Sequence, residues 1–238
     1  MIPDGAGKWA IVAAVSGRDA ANAIDRSGAG LLPPSFFARP TETVARELLG
    51  AVLLSRVGGR VTGGRIVETE AYLGADDPGS HAATYGVTAR NRVMYGPPAT
   101  VYVYFTYGNH HMLNLVTDQE GRAGAVLVRA LEPLFGIDVM TERRGGRSGP
   151  DAANGPGKLT QALGIDLRQN GTRLGAEIAV VAGERVPDDA VGRSGRVGLS
   201  AGHELPLRYY VQGSRYISRG RTGPRAVGPT SPERKGHA

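Results

Sequence analysis

The sequence has no cysteine, and this absence removes several kinds of chemistry at once. Disulfides, thiolate zinc sites, iron–sulfur clusters and a cysteine nucleophile are all excluded. Nor does any hydrophobic run approach the roughly 18 apolar residues that a membrane-spanning helix needs. We therefore expect a soluble protein, without a membrane partner, whose chemistry rests on carboxylates, histidines, hydroxyls or amines.

The charge balance favours a partner that carries negative charge. The chain has 238 residues and contains 28 Lys and Arg against 22 Asp and Glu, which gives a formal net charge of +6 and a pI near 9.8. Such an excess suits nucleic acid, although ribosomal proteins, nucleases and many other enzymes share it. A hydrophobic content of 41% over this length predicts one substantial core.

The two ends of the chain differ in composition from the middle. Residues 1–33 are rich in Ala and Gly without a sustained period, which predicts a poorly ordered N-terminal extension. A short apolar run at 9–15 follows only one basic residue, Lys8; a secretory signal is one interpretation, and we favour a cytoplasmic protein. Residues 220–238 predict a basic disordered tail, which leaves a single ordered domain over 34–219.

The pattern between these ends predicts an α+β fold: one compact domain with a mostly antiparallel, curved β-sheet, short flanking helices and a protruding β-hairpin. Thr41 is placed to cap a first helix that Gly50 ends. Strands are expected at 51–56, 64–72, 100–106, 114–117, 125–131, 176–182, 196–200 and 207–213, and short helices at 135–140 and 158–163.

Tyrosines cluster in one part of the chain. Six of the nine, Tyr72, Tyr85, Tyr95, Tyr102, Tyr104 and Tyr107, fall between positions 72 and 107. A tyrosine offers a flat apolar face and a polar tip, which suits a pocket that stacks on a ring and hydrogen-bonds its edge. The alternative is that they fill the core, and we assign Tyr95 and Tyr102 to it. Tyr107 lies in a predicted turn, where burial is disfavoured.

Glu68 and Glu70 project from the same face of the predicted strand at 64–72, because side chains alternate along a strand. Two neighbouring carboxylates are typical of a glycoside hydrolase, in which one acts as the acid and the other as base or nucleophile. The alternative is a solvated pair matched by surface arginines, with Arg65, Arg90 and Arg92 as candidates.

Other polar residues in this segment each have two interpretations. Asp76 and Asp77 precede Pro78-Gly79, so we interpret them as turn residues. Arg90 and Arg92 form either a phosphate clamp or ordinary surface charge.

His81 is a candidate metal ligand, general acid or stacking partner. This segment has no second histidine at ligand spacing, and His110 and His111 are adjacent, which makes joint coordination of one ion awkward. We expect neither a metal nor a cofactor.

The motifs together resemble the alkyladenine (3-methyladenine) DNA glycosylase family of the single-domain vertebrate and bacterial type. The similarity covers residues 34–219 through RIVETEAYLG, HAATYGVTARNRVMYGPPATVYVYFTYGNHHMLN, AVLVRALEP, NGPGKLTQALGI and LRYYVQGSRYIS, whose order and spacing together are very specific. It implies a monofunctional glycosylase of base excision repair that flips out alkylated or deaminated purines, of the 3-methyladenine, hypoxanthine and ethenoadenine class, and hydrolyses the N-glycosidic bond.

The resemblance also implies a role for each matched residue. Glu70 matches the general base, and Arg129 matches the arginine that helps to hold the attacking water and the carboxylate. The base pocket is matched by Tyr72, His81, Tyr104 and Asn114, and the asparagine opposes the exocyclic amine of guanine. Tyr107 matches the side chain that enters the minor groove. Glu68 matches no catalytic residue. One departure is that residues 108–111 are more polar than the vertebrate counterparts.

The expected partner is double-stranded DNA that contains a damaged purine, bound by a monomer located with the nucleoid. No lysine falls between Tyr72 and Asn114 to form a Schiff base, so we expect hydrolysis without strand nicking. Lys158 is an outside candidate for the Schiff base, but we assign it to DNA phosphate, as we do Arg90 and Arg92. Two alternatives stay open: an O-glycoside hydrolase that uses Glu68 and Glu70, and a non-catalytic nucleic-acid-binding protein.

Overall fold

The computed structural model of the chain describes residues 30–80, 83, 86–106 and 108–220. Four α-helices lie within these residues: α1 (Pro34–Phe37), α2 (Thr41–Glu47), α3 (Ile137–Arg143) and α4 (Pro156–Leu163). The strands are β1 (Val52–Ser55), β2 (Thr62–Tyr72), β3 (Val101–Thr106), β4 (His110–Val116), β5 (Ala125–Phe135), β6 (Ile178–Val181), β7 (Val191–Ser194) and β8 (Arg208–Val211). His81, Tyr107, the first 29 residues and the tail after residue 220 lie outside the described residues.

All eight strands belong to one sheet whose described pairings are antiparallel, which confirms the predicted α+β class. The order is β3-β4-β5-β2-β1-β6, and β8 pairs with both β2 and β7. β2 is long enough to pair with β1 near its start and with β8 over Glu68 to Glu70, while β5 runs along its other side. The middle of β2 therefore lies inside the sheet. Curvature of the sheet and protrusion of the β3–β4 pair stay predictions.

The main core lies between the sheet and helices α2 and α4. It is formed by apolar side chains of those helices and by alternate residues of the central strands, among them Val44, Leu48, Leu159, Leu163, Ile66, Val101, Leu113, Val126 and Val128. A period of two along each strand sends the intervening side chains to the other face of the sheet. That second face carries most of the polar residues singled out in the sequence. Near β6, the amide of Leu32 donates to the carbonyl of Val180.

Two predictions about local structure are wrong. Thr41 does not cap α2: Pro40 is the N-cap residue, and the buried Thr41 hydroxyl hydrogen-bonds instead to the Thr117 hydroxyl at 2.8 Å. The predicted strand at 196–200 is absent from the described structure, because there the chain leaves the sheet and turns Arg196 inward. The strand in this region is β7, which ends two residues earlier.

Several boundaries also differ from the prediction. β4 starts at His110, four residues before the predicted strand, since its polar first residues pair with the end of β3. β5 continues to Phe135 through Pro133, and α3 starts only after Gly136, which adopts a left-handed conformation (φ +59°). No helix in the described part of the chain is both long and apolar enough to cross a membrane.

Candidate active site

One row of residues crosses five strands on the face opposite α2 and α4. Tyr102 of β3 pairs with Asn114 of β4, Asn114 pairs with Leu127 of β5, and Leu127 pairs with Glu70 of β2. On the other side of β2, Glu70 pairs with Arg208 of β8. The register of the sheet therefore brings residues that are far apart in sequence into one line.

An irregularity in β2 decides which side chains face this row. The pairing with β5 shifts register between Ile66 and Glu68, and again between Glu68 and Thr69. Ile66 packs in the helix-covered core, and the Thr69 hydroxyl donates to the carbonyl of Ala45 in α2. Because the extra residue resets the alternation, Glu68 and Glu70 lie on the face opposite Ile66. The sequence predicted that the two glutamates share a face, but not this break in the alternation.

The Glu70 carboxylate is completely buried and held by three donors. Its Oε2 accepts a hydrogen bond from the Tyr72 hydroxyl at 2.9 Å and lies 3.2 Å from Nη1 of Arg129. Its Oε1 accepts from the backbone N–H of Val197 at 2.7 Å. These three contacts fix the position and the orientation of the carboxylate.

Arg129 binds both carboxylates of β2. Its Nε donates to Oε1 of Glu68 at 2.8 Å, while Nη1 faces Glu70. Burial alone would lower the pKa of Arg129, but Glu70 and Glu68 outweigh it and raise that pKa above its ordinary value. The guanidinium is therefore a permanent positive charge beside the Glu70 carboxylate.

The Glu68 carboxylate accepts more hydrogen bonds than that of Glu70. Its Oε1 accepts from Nε of Arg129, from Nε of Arg208 at 2.8 Å and from the Ser218 hydroxyl at 2.7 Å, and its Oε2 accepts from the backbone N–H of Ser218. Burial raises the pKa of Glu68, but the two arginines and Ser218 outweigh that effect and hold the pKa below its usual value. The interpretation of the pair as solvated and matched by Arg65, Arg90 or Arg92 is wrong, because both carboxylates have 0% exposure.

A second buried ion pair, between Asp77 and Arg196, lies beneath Tyr72. Asp77 plays the predicted turn role by accepting from the amides of Leu73 and Gly79, both at 3.0 Å. It also binds Arg196 through both carboxylate oxygens. The Arg196 guanidinium is 0% exposed, donates to the carbonyl of Ala71 at 2.9 Å and lies 4.7 Å from the centre of the Tyr72 ring.

Sequence reasoning missed four contributors to this site: Arg196, Val197, Arg208 and Ser218. Arginines are common on surfaces, and a backbone N–H leaves no trace in a sequence. Gly79 and Gly202 are local signs of the buried arginine, because a Cβ would lie 2.4 Å from Nη2 of Arg196 at Gly79 and 2.9 Å from it at Gly202. This close contact with Arg196 is visible only in the structure, which brings the loop of Gly79 and the loop of Arg196 together.

The tyrosines predicted to form a pocket lie next to Glu70. A small void is lined by Tyr72, Met94, Tyr102, Tyr104 and Asn114. The rings of Tyr102 and Tyr104 are 5.4 Å apart, and Tyr72 links the void to Glu70 through its hydroxyl. The void measures about 10 Å³ between these residues, room for one water at most, so any larger molecule could enter only if its walls rearranged.

The Tyr72 hydroxyl stays protonated beside Glu70. Burial, together with the negative charge of Glu70, raises the pKa of Tyr72 well above its ordinary value, despite the opposing effect of Arg129 and Arg196. The hydroxyl is therefore a hydrogen-bond donor to the carboxylate at neutral pH.

Three further predicted residues lie in different settings. Arg90 is exposed, donates to the carbonyl of Phe105 at 2.8 Å, and places its guanidinium 5.1 Å from the centre of the Tyr104 ring. Arg92 is exposed. Lys158 donates to Asp151 at 2.5 Å and to Asn154 at 2.8 Å, so its ammonium already has two anionic or polar partners. His81 and Tyr107 lie outside the described residues.

Comparison with known proteins identifies extensive similarity. Residues 35–215 match the family described as Methylpurine-DNA glycosylase (MPG). A protein of Carboxydothermus hydrogenoformans is 47% identical over 191 residues, which are 79% of this chain and 99% of that protein. Proteins of Chlorobaculum tepidum (46%; 81% of this chain and 93% of the relative) and Methanoculleus marisnigri (48%; 79% and 98%) are similar to the same extent. All three carry the name "Putative 3-methyladenine DNA glycosylase".

Proposed function

The chain belongs to the methylpurine-DNA glycosylase family, and on that premise we propose how it releases damaged purines from DNA. The activity is that of a 3-methyladenine DNA glycosylase, a monofunctional DNA N-glycosylase that acts in base excision repair. In our proposal Glu70 is the general base that activates a water molecule against the anomeric carbon of an extruded nucleotide. The observation that carries this assignment is the position of the Glu70 carboxylate, which is held by Arg129 and Val197 and hydrogen-bonded to Tyr72, a wall of the tyrosine-lined void.

One carboxylate is sufficient for this reaction. As the base departs, positive charge develops on the sugar, and Glu70 both stabilises that charge and orients the water. A purine made cationic by alkylation leaves without a strong acid, so the second carboxylate of an O-glycoside hydrolase is dispensable. Arg129 positions the carboxylate through Nη1 while Glu68 fixes Arg129 through Nε.

Glu68 is poorly suited to the role of general acid. An acid must carry a proton at neutral pH, which requires a raised pKa. The pKa of Glu68 is lowered, because two arginines and Ser218 face its oxygens. This argues against the two-carboxylate O-glycosidase alternative and in favour of a structural role for Glu68.

The base pocket in this proposal is formed by Tyr72, Tyr104 and Asn114, with His81 as the fourth wall. An alkylated or deaminated purine cannot be reached inside the stacked duplex, so the nucleotide must rotate out at a cost of a few kcal/mol. Tyr107 enters the minor groove and restores stacking where the base has left. We extend the substrate range from 3-methyladenine to hypoxanthine and ethenoadenine on this basis.

The contacts to the DNA backbone are proposed to come from Arg90, Arg92 and Lys158. Each adds positive charge to a chain that is already basic, and phosphate contacts of this kind position the duplex without reading sequence. The enzyme is proposed to act as a monomer, located with the DNA. Strand nicking is not expected, because the sequence from Tyr72 to Asn114 holds no lysine for a Schiff base.

The experiment is to incubate the protein with duplexes that contain hypoxanthine, ethenoadenine or 3-methyladenine and then to treat them with hot alkali, which cleaves the strand at a baseless sugar. We expect cleavage only after alkali, and none with undamaged duplex. Tight binding without base release from any lesion would instead support a non-catalytic nucleic-acid-binding protein.

A further inference from the structure

The Tyr102 side chain combines deep burial with a hydroxyl that lacks a partner. The residue is 1% exposed, and its hydroxyl makes no hydrogen bond within the part of the chain that the structure describes. Leaving a polar group buried without a partner is unfavourable, and native proteins seldom tolerate it without a reason. A phenylalanine would fill the same apolar space without that cost. Packing therefore does not explain the hydroxyl, and a functional role would.

The place of Tyr102 in the structure indicates what that function is. Tyr102 lines the void beside Glu70 together with Tyr72 and Asn114. The Tyr72 hydroxyl is engaged by Glu70, and the Asn114 amide nitrogen donates to the carbonyls of Tyr102 and Met112, both at 3.3 Å. Tyr102 therefore brings an uncommitted donor to a cavity in which the donors of Tyr72 and Asn114 are already engaged.

The hydroxyl also keeps its proton under working conditions. Burial raises the pKa of Tyr102 to about 12, although Arg90 acts in the opposite direction. At neutral pH the group is thus an O–H donor that can also accept, and not a phenolate.

We propose that Tyr102 is a specificity-determining residue whose hydroxyl donates a hydrogen bond to an acceptor atom on the edge of the extruded purine. Purine edges carry ring nitrogens that accept hydrogen bonds, and hypoxanthine adds a carbonyl oxygen. Among the described residues the donor has no partner, and in our proposal the arriving base supplies one. This inference rests on the proposed function, because it assumes that the void beside Glu70 admits the base.

The first test is Tyr102→Phe, which removes only the hydroxyl. We expect single-turnover excision of hypoxanthine to slow by about 3- to 10-fold, the effect of one neutral hydrogen bond. The melting temperature should stay the same or rise, because a buried unsatisfied group has been removed. Tyr95→Phe is the matched control: Tyr95 packs in the same apolar cluster but does not line the void, so its loss of a hydroxyl should leave excision unchanged.

The second test measures binding with a variant that does not turn over. In a Glu70→Gln background, Tyr102→Phe should weaken binding of a hypoxanthine-containing duplex by a similar factor. It should not weaken binding of a duplex that carries a tetrahydrofuran abasic analogue, because no base then enters the void. The comparison separates a contact to the base from a contact to the DNA backbone.

Three results would overturn the role of Tyr102. Unchanged excision by Tyr102→Phe would show that the hydroxyl does not contact the base. A fall in the melting temperature of Tyr102→Phe would show that the hydroxyl makes a hydrogen bond that stabilises the fold. Equally weakened binding of both duplexes would show an effect on DNA binding in general and not on the base. Failure of the proposed function is a separate result, since the wild-type protein would then release no base from any lesion.

Discussion

Glu68 and Glu70 share one guanidinium, with Arg129 Nε donating to the first at 2.8 Å and Nη1 lying 3.2 Å from the second. This arrangement separates two carboxylates that look equivalent in the sequence. Glu68 anchors Arg129 with the help of Arg208 and Ser218, whereas Glu70 accepts a hydrogen bond from Tyr72, a wall of the tyrosine-lined void. The two carboxylates therefore have different surroundings, which is why we propose the catalytic role for Glu70 alone.

Replacing Glu68 with glutamine should destabilise the protein more than it impairs catalysis. The substitution leaves Arg129 and Arg208 buried without their shared anion, a loss that typically costs about 3 to 5 kcal/mol. We expect this decrease in the free energy of unfolding by urea denaturation, with base excision still measurable. Glu132→Gln, which loses only a half-exposed contact to Arg65 at 3.6 Å, is the control and should cost about 0 to 1 kcal/mol. Full stability of Glu68→Gln together with total loss of excision would contradict the structural role.

Acid should weaken the fold through Glu68 and Asp77. Both have pKa values held below their ordinary range, by Arg129 and Arg208 in one case and by Arg196 in the other, against the opposing effect of burial. The stabilisation of the fold by these two carboxylates is fully present above their pKa values in the unfolded chain, which are about 4. It is lost as the pH falls through their lower pKa values in the folded protein. We expect flat stability from neutral pH to about 5 and a steep decline below about 4.

The variant Asp77→Asn tests the contribution of one pair to that decline. It should lower stability at neutral pH and make the acid dependence shallower, because one titrating group has been removed. Asp138→Asn, at a side chain that is 83% exposed, serves as the control and should change neither. An acid limb as steep as that of the wild type would show that Asp77 is not linked to folding.

The close approach at Gly79 predicts a steric effect. A Cβ at this position would lie 2.4 Å from Nη2 of Arg196 and 2.6 Å from Cδ1 of Leu199. Gly79→Ala should therefore cost about 1 to 3 kcal/mol in stability, as overpacking usually does. Gly155→Ala is the comparison, because its Cβ would meet only the Lys158 side chain, at 3.6 Å. Equal melting temperatures for the two variants would show that the Arg196 loop is loosely packed.

The proposed phosphate contacts predict a change in salt dependence. Arg92 is exposed, and loss of one phosphate contact should reduce the slope of log K against log salt by about 1. We expect this for Arg92→Gln in fluorescence-anisotropy titrations with undamaged duplex over a range of salt concentrations. Arg168→Gln is the control, since that exposed side chain is paired with Asp166 and has no proposed contact with DNA. An unchanged slope for Arg92→Gln would remove this arginine from the interface.

The sequence predicts those parts of the site that depend on local pattern. Alternation along β2 places Glu68 and Glu70 on one face, and the β-rich runs identify β3, β5 and β8. The register of the strands then decides which of these residues are neighbours, since it aligns Tyr102, Asn114 and Glu70 in one row. The sequence pattern predicts a scaffold role for Tyr102, and what distinguishes it from an ordinary core residue is a buried hydroxyl with no partner among the described residues.

Long-range contacts could not be predicted in the same way. Val197, Arg208 and Ser218 reach the two glutamates across 127 to 150 positions in the chain, and nothing in their local sequence marks them. The burial of Glu68 and Glu70 could not be predicted for a related reason. A pair of charged side chains is expected at the surface unless the buried arginines that neutralise it are known. The turn of the chain at Arg196 likewise replaced a predicted strand, because the buried ion pair with Asp77 outweighs the β propensity of its neighbours.

The most direct test of the account is the single-turnover rate of hypoxanthine release by Glu70→Gln. The amide keeps the shape of the side chain but cannot accept a proton from water, so we predict a rate lower by about 10²- to 10⁴-fold. Affinity for the lesion-containing duplex, measured in parallel, should be retained. A Glu70→Gln protein that is folded, binds the duplex and releases the base at the wild-type rate would contradict the assignment of Glu70 as the general base.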